Sequence, residues 1–268
     1  SRFFRTWSPD TKPEGLVVIS HGYAEHSGRY EQTAQRLLRA GFAVWTHDHY
    51  GHGKSDGPRA LIERIELLAE DLMTALETAS ALHDRTPVFL YGHSMGGAVA
   101  ALTLLQGAFP VSGAIFSGAA IRVAQTSSPL VRAIARGMRS FAPALPAIPF
   151  HSEGLSRDPQ VIEEYRNDPL NYTGKVKVAT GLEMIEAEKM LDPVHLSRIH
   201  VPALVVHGKD DTIIPPESSQ ELYDQLGSED KTLRFFDKAY HEIHNEECAE
   251  ELYEVLIDWM KAHIPSTQ

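Results

Sequence analysis

Only one cysteine, Cys248, occurs among the 268 residues, so the chain cannot form an internal disulfide. Long apolar runs are also missing: none approaches the length of a membrane span, and no secretory signal peptide is visible. We therefore expect a cytoplasmic protein that contacts membranes only peripherally. Basic residues are outnumbered, with 25 Lys and Arg against 36 Asp and Glu. The resulting net charge of −11 argues against nucleic acid as a partner.

What the sequence does contain is an alternation of apolar strand patterns with helical patterns. Strands are predicted at residues 16–20, 42–46, 88–91, 111–117, 203–207 and 232–236. Helices are predicted between or after them, near residues 29–40, 65–81, 95–106, 216–226 and 246–262. Such an alternation is typical of an α/β fold, in which helices cover both faces of a mostly parallel sheet.

Residues 119–199 interrupt this alternation. They are rich in proline, and their pattern predicts short helices and turns. The sequence therefore predicts a core made of residues 1–118 and 200–268, with a cap subdomain, residues 119–199, inserted between two core strands.

Residues 92–97 have the sequence Gly-His-Ser-Met-Gly-Gly and lie between a strand pattern and an Ala-rich helical pattern. Strand, G-x-S-x-G and helix are the parts of a nucleophile elbow, a tight turn that exposes a strained serine at the edge of the sheet. Glycines at 92, 96 and 97 are expected because a Cβ there would collide with the neighbouring strand or helix. The segment predicts Ser94 as a nucleophile.

A serine nucleophile needs a base, and the base needs an acid that orients it. On folds with this elbow the chain order is Ser, then Asp or Glu, then His, each following a strand. The acid is Asp210 or Asp211, and we favour Asp211 at the G-x-x-D position, with Asp210 as a solvated loop residue. The base is His241 or His244, and we favour His241, because His244 lies one helical turn further on.

The charge that develops on the substrate oxygen requires two preorganised backbone N–H groups. The residue after the nucleophile, Met95, supplies one of them in this motif. The loop that begins at His21 and Gly22 follows the first predicted strand, and its Tyr23 N–H is the natural second donor. The alternative is that this loop is only a glycine turn.

The segment His47–His52, with its three histidines and Asp48, could also suggest a metal site. Its order does not match the H-x-H-x-D-H pattern of dinuclear zinc hydrolases, and ligand number alone is a weak signal. We therefore expect a structured turn beside the elbow and neither a metal nor a cofactor.

With these motifs in place, the chain resembles the monoacylglycerol lipase (lysophospholipase-like) family of α/β-hydrolases over nearly its whole length. The resemblance is carried by segments 21–30 and 48–55, and by the cap segments 155–159 and 165–170. It implies hydrolysis of monoacylglycerols to fatty acid and glycerol by Ser94, Asp211 and His241, with Tyr23 and Met95 as oxyanion hole. The chain departs from the family at Tyr23 and Ala24, where relatives often have smaller residues.

The resemblance also implies that Glu25, Arg29, His244 and Tyr165 contact the substrate, the first three at a polar end of the pocket that accepts glycerol. The alternative for Glu25 and Arg29, which are four residues apart, is a surface ion pair. Alternative activities are those of a broad carboxylesterase or a lysophospholipase. A binding protein with an inactive triad is a further alternative, against which the intact Ser, Asp and His argue.

No Asp or Glu occurs from Arg85 to Ser152, although arginines recur within the predicted cap. One helical pattern there has a basic side and an apolar side. The basic side is formed by Arg132, Arg136 and Arg139, and the apolar side is formed by Leu130, Val131, Ile134, Ala135, Met138 and Phe141. A helix packed on the core with a solvated basic face would explain the pattern. A basic amphipathic helix can also lie at a lipid interface, so we predict transient contact of the cap with lipid aggregates.

Overall fold

The structure of the chain is a computed structural model that describes residues 1–107, 109–122 and 129–265, without the side chains of residues 129–132 and 134. Within these ranges, seven strands form one sheet: β1 (Phe4–Trp7), β2 (Gly15–Ser20), β3 (Phe42–His47), β4 (Val88–His93), β5 (Gly113–Ser117), β8 (Ala203–Gly208) and β9 (Lys231–Phe236). Their order across the sheet is β1-β3-β2-β4-β5-β8-β9. All neighbouring strands are parallel except β1 and β3, which confirms the predicted α/β fold.

All six predicted strands are present, and β1 is an addition. It pairs antiparallel with β3 at the edge of the sheet, where Phe4 stacks on Trp45 with ring centroids 4.5 Å apart. Only four residues long and partly exposed, β1 lacks the buried apolar run that predicts the other strands.

The five predicted helices of the core are also present. They are α1 (Glu31–Arg39), α2 (Ile65–Leu82), α3 (Met95–Gln106), α8 (Glu217–Gln225) and α9 (Ala249–Ala262). Two buried clusters cover the sheet: one joins α2, α3 and α8 to one face, and the other joins α1 and α9 to the opposite face. Strands β2, β4, β5 and β8 are therefore buried on both faces, as near-continuous apolar sequences require.

The segment between β5 and β8 adds no strand to the main sheet within the described residues. Its elements are α4 (Pro129–Arg139), β6 (Pro146–Ile148), α5 (Pro159–Asn167), β7 (Val176–Lys177), α6 (Val178–Met190) and α7 (Pro193–Leu196). Strands β6 and β7 pair with each other only. Hydrogen bonds tie the segment to the core: Ile65 N–H donates to Glu183 at 2.8 Å, and Thr180 Oγ donates to the Ala60 carbonyl at 3.1 Å.

Helix α4 carries the arginines of the predicted basic side. Arg139 pairs with Glu183 at 2.6 Å and Arg136 lies 3.7 Å from Glu186, both on α6. The acidic partners lie about 50 residues further along the chain, so the absence of Asp and Glu from 85 to 152 does not leave these arginines unpaired. The side chains of Leu130, Val131, Arg132 and Ile134 lie outside the described set.

Among the described residues, no helix combines the length and the apolar character needed to cross a membrane.

Candidate active site

Ser94 lies at the junction of β4 and α3, at the carboxyl edge of the central strands. Its backbone has φ 53° and ψ −123°, a conformation that L-residues rarely adopt, and it is held there by a hydrogen bond from its N–H to the Ser117 carbonyl at 3.0 Å. The side chain is partly exposed. Its hydroxyl forms no hydrogen bond with another described residue, so it is free to approach a substrate.

The tight contact between α3 and the sheet explains the glycines that surround Ser94. A Cβ on Gly96 would lie 2.0 Å from the Ser20 carbonyl oxygen, and a Cβ on Gly97 would lie 2.6 Å from the Ala119 Cβ. Both distances are far below van der Waals contact, so a larger residue would push the helix away from β2 and β5. The turn that presents Ser94 therefore depends on these two positions.

Asp211 and His241 lie together at the same edge of the sheet, after β8 and β9. His241 Nδ1 is 2.7 Å from Asp211 Oδ2, and neither side chain is more than 3 % exposed. Because Nδ1 faces the carboxylate, Nε2 is the nitrogen left for a nucleophile. The other acid considered, Asp210, is half-exposed and pairs with Arg157 at 3.0 Å.

The Asp211–His241 pair favours the protonated form of His241. Burial acts to lower the pKa of His241, but the charge and the hydrogen bond of Asp211 outweigh it, and the pKa is raised above its usual value of 6.5. Burial likewise acts to raise the pKa of Asp211, and the neighbouring His241 and His207 instead hold it well below its usual value. Asp211 is therefore a carboxylate that can stabilise an imidazolium.

His244, the alternative base, is buried and stacks on Tyr30 with ring centroids 5.2 Å apart. Neither of its ring nitrogens has a hydrogen-bond partner among the described residues. Burial lowers the pKa of His244. The structure therefore brings His241, and not His244, to the orienting acid.

The loop after β2 brings Tyr23 beside the elbow. A Cβ on Gly22 would lie 3.2 Å from the Ser94 Cβ, so the backbone of this loop passes directly over the nucleophile. Ala24 has a φ of 66°, and its carbonyl accepts hydrogen bonds from Tyr165 Oη and Tyr172 N–H, both at 2.9 Å. Met95 is the first residue of α3, where backbone N–H groups have no partner within the helix.

Glu25 and Arg29 are not the surface ion pair that their spacing alone allows. Arg29 is 11 % exposed, binds Glu25 at 2.9 Å and forms two bonds to Glu242, at 2.5 and 2.7 Å. Glu25 in turn accepts hydrogen bonds from Gly22 N–H at 2.6 Å and from Tyr30 Oη at 2.9 Å. This buried network joins the loop that carries Tyr23 to the loop that carries His241.

Glu242 was not among the residues predicted from the sequence. It directly follows His241 and is 1 % exposed. Burial would raise the pKa of Glu242, but the Arg29 guanidinium holds it well below its usual value. Its partner lies 213 residues away, and only the charge of Glu242 within an otherwise apolar and histidine-rich segment could have drawn attention to it.

A cleft of about 480 Å³ lies at the outer side of this network. Arg29, Tyr165 and His244 line it, and the Arg29 guanidinium lies over the Tyr165 ring at 5.0 Å. Glu25 is 3 % exposed and uses both carboxylate oxygens within the protein. Three of the four predicted substrate-binding residues therefore share one cleft, and the fourth supports Arg29.

The histidines of the segment His47–His52 pack against the loop after β2. His49 Nε2 is 3.1 Å from Ser20 Oγ, and the His49 N–H donates to His21 Nε2 at 3.0 Å. Asp48 accepts backbone N–H bonds from Ser27 and Lys54. No group of three or more His, Cys, Asp or Glu side chains in the described ranges is arranged to hold a metal ion.

Known proteins match this chain over most of its length. A family model described as "Serine aminopeptidase, S33" matches residues 11–248. A monoacylglycerol lipase of Mycolicibacterium smegmatis is 34 % identical over 97 % of this chain and 93 % of its own length. Human monoglyceride lipase is 32 % identical over 91 % of this chain and 80 % of its own.

Among solved structures, the monoacylglycerol lipase of Paleococcus ferrophilus has a TM-score of 0.86 at 30 % identity, with coverage of 98 % of this chain and 99 % of that one. These matches span the sheet, the segment between β5 and β8 and all loops that carry the predicted site. The chain therefore belongs to the monoacylglycerol lipase family of α/β-hydrolases.

Proposed function

We propose that the chain hydrolyses the ester bond of monoacylglycerols, releasing a fatty acid and glycerol through an acyl-enzyme on Ser94. The observation that carries this proposal is the Asp211–His241 hydrogen bond, with the His241 ring 4.8 Å from the ring of His93, the residue that precedes Ser94. The arrangement supports acyl transfer, and the similarity to monoacylglycerol lipases supports the substrate class.

In the proposed reaction, His241 Nε2 accepts the Ser94 proton as the serine oxygen attacks the ester carbonyl. Asp211 stabilises the imidazolium that forms, without itself taking the proton. The N–H groups of Tyr23 and Met95 bind the oxyanion of the tetrahedral intermediate, and each such donor contributes roughly 3 kcal/mol to transition-state stabilisation.

His241 then gives its proton to the glycerol oxygen as the bond to the acyl carbon breaks. Water attacks the acyl-enzyme with His241 again acting as base, and the fatty acid leaves. The residues of the chain supply every proton transfer in this sequence, so the proposal requires no cofactor.

We place the glycerol group towards the cleft lined by Arg29, Tyr165 and His244. The support is that charged and polar residues line the cleft, His244 among them, and that both ring nitrogens of the 2 % exposed His244 are buried without a hydrogen-bond partner among the described residues. In this proposal Glu25 acts on substrate through Arg29. A His244→Phe variant keeps the stack on Tyr30 and should slow hydrolysis of a monoacylglycerol more than that of an aryl ester of the same acyl chain. Equal losses on both substrates would contradict a glycerol site at His244.

We also propose that the cap contacts lipid aggregates through exposed apolar side chains and not through its arginines. Phe141 is 91 % exposed, and Leu145 and Ile148 are exposed near it in sequence. The double variant Phe141→Ser and Ile148→Ser should bind vesicles less and lose turnover of long-chain substrates, with short soluble esters unaffected. Leu82→Ser, on the exposed end of α2, is the matched control and should change neither property. Unchanged vesicle binding in the double variant would contradict the proposal.

The substrate proposal is tested by hydrolysis rates on mono-, di- and triacylglycerols of graded chain length, with a lysophospholipid and an aminoacyl anilide alongside. Monoacylglycerols of medium or long chain should give the highest kcat/KM, and Ser94→Ala should abolish turnover. Highest kcat/KM on short soluble esters would indicate a general carboxylesterase, and highest kcat/KM on the lysophospholipid would indicate a lysophospholipase. Cleavage of the anilide alone would indicate a peptidase, the activity named in the description of the matching family model.

A further inference from the structure

His207, in β8, is a buried histidine that the reaction proposed above does not use. Its side chain is 0 % exposed, and it lies four residues before Asp211. On sequence alone, a histidine in an apolar strand is indistinguishable from a core residue. Its contacts, however, are with the orienting acid.

The neighbours of the His207 ring determine where its proton lies. Nε2 is 2.9 Å from Asp211 Oδ2 and 3.0 Å from the Ile214 carbonyl oxygen. Both groups only accept hydrogen bonds, so Nε2 carries the hydrogen. Nδ1 is 2.6 Å from Ser219 Oγ, whose hydroxyl donates to it when the ring is neutral. Ser219 on α8 thereby fixes the orientation of the ring.

With His207 included, the Asp211 carboxylate has a full set of donors. Oδ1 accepts the N–H groups of Ile213 at 2.8 Å and Ile214 at 3.0 Å. Oδ2 accepts His241 Nδ1 at 2.7 Å and His207 Nε2 at 2.9 Å. A carboxylate offers about four acceptor positions, so each is occupied. The two backbone bonds fix one oxygen, and the two imidazoles fix the other.

We propose that His207 is a positioning residue, which fixes Oδ2 of Asp211 towards His241 and shares the negative charge of that oxygen. This inference rests on the proposed function, because it assumes that Asp211 and His241 act as acid and base. It adds a second imidazole on the same carboxylate oxygen that His241 contacts, and Ser219 of α8 holds that second imidazole.

Two consequences follow for the reaction. Without the His207 N–H, Oδ2 can swing about the fixed Oδ1, so fewer molecules hold His241 in a productive orientation and kcat falls. The N–H of His207 also withdraws charge from Oδ2. Its loss should therefore strengthen the pull of Asp211 on the His241 proton, which moves the acid limb of the rate profile to higher pH.

Other titratable groups also act on the His241 ring, and all of them stay in place in the variants below. They come from β4, from the loops after β2 and β8, and from the segment that follows His241 itself: His93, Glu25, Asp211, Glu242 and His244.

The test compares His207→Leu, which removes the donor, with His207→Gln, whose side-chain amide places an N–H at a similar reach. We expect His207→Leu to lower kcat about tenfold with KM little changed, as loss of a hydrogen bond to a charged group predicts. Its acid limb should move up by about half a pH unit. His207→Gln should recover most of both properties. His200→Leu, an exposed histidine bonded to the Gly227 carbonyl, is the matched control and should match the wild type.

A role in packing alone gives a different result. It would lower the melting temperature of His207→Leu, leave the acid limb in place and give no rescue by His207→Gln, and that result would overturn the proposal. If His207→Leu does not fold, Ser219→Ala replaces it, since this change releases His207 Nδ1 and should move the acid limb in the same direction. An unmoved limb in Ser219→Ala, with a folded protein, also overturns the proposal.

A measurement on the unreacted protein separates this inference from the proposed function. Nitrogen-15 NMR of labelled histidines should show His207 with hydrogen on Nε2 near neutral pH, and a neutral Nδ1–H form would overturn the inference whatever the activity. Failure of the proposed function would instead appear as turnover in Ser94→Ala at the rate of the wild type.

Discussion

The ion pair of Arg29 with Glu242 and Glu25 predicts a large loss in the free energy of unfolding when the guanidinium is removed. Arg29→Met keeps the length of the side chain and leaves two buried carboxylates without their cation. Because Glu25 and Glu242 are at most 3 % exposed, water cannot replace the guanidinium. Removal of one partner from a buried pair costs about 3–5 kcal/mol. For a chain of this size, that lowers the melting temperature by roughly 10 °C.

The pH dependence of this loss identifies its cause. Arg29 holds the pKa of Glu242 below its usual value, so the pair adds stability above about pH 4.5 that is lost only as pH falls through the lowered pKa. In Arg29→Met, burial without a cation should raise the pKa of Glu242 instead. Protonation of Glu242 then relieves the unpaired charge, and the difference from wild type should shrink between pH 7.5 and pH 5.5.

Urea titrations at the two pH values measure this difference in the free energy of unfolding. Arg36→Met is the matched control, because Arg36 lies in α1 and pairs with the exposed Glu250. Loss of an exposed pair costs about 0–1 kcal/mol. A loss below about 1 kcal/mol in Arg29→Met, or one equal at both pH values, would show that Arg29 does not balance a buried charge on Glu242.

Three further predictions concern pH and backbone packing. The acid limb of kcat/KM should lie above pH 6.5, since Asp211 raises the pKa of His241; a pH profile with a limb below 6 would contradict this. Burial lowers the pKa of His47 to about 4. Between about pH 6.5 and 4, His47 is therefore protonated in the unfolded chain and neutral in the folded one, and stability decreases as the pH decreases. His47→Leu should therefore lose about 2 kcal/mol less than wild type between pH 7 and 5 in urea titrations. Gly96→Ala should abolish ester hydrolysis with the chain still folded by circular dichroism, because the added methyl displaces α3 and the elbow; normal rates would show that the contact can relax.

The parts of the fold that local patterns encode were predictable. Strands such as β2 and β8 are continuous apolar runs, and the elbow at Ser94 is marked by a turn motif between a strand and a helix. The short strand β1 was not predicted, because its stability comes from the β3 edge and from the stack of Phe4 on Trp45. Its sequence alone has little strand character.

The parts of the site that depend on distant partners were not predictable. The sequence offers no sign that Glu242 binds Arg29 across 213 residues, or that Arg139 of α4 binds Glu183 of α6. The absence of acidic residues near these arginines in sequence therefore suggested an unpaired basic face, whereas in the fold Arg136 and Arg139 lie beside Glu186 and Glu183 of α6. His207 was overlooked for the same reason, since its neighbours in sequence are apolar and its contact with Asp211 arises only when the loop after β8 folds back.

The proposed nucleophile is tested by the site at which a fluorophosphonate reacts, mapped by mass spectrometry of the digested protein with and without a monoacylglycerol. We expect one adduct, on Ser94, formed more slowly when the monoacylglycerol is present and nearly abolished in His241→Ala. An adduct on another residue, or labelling of Ser94 that proceeds equally fast without His241, would contradict this expectation.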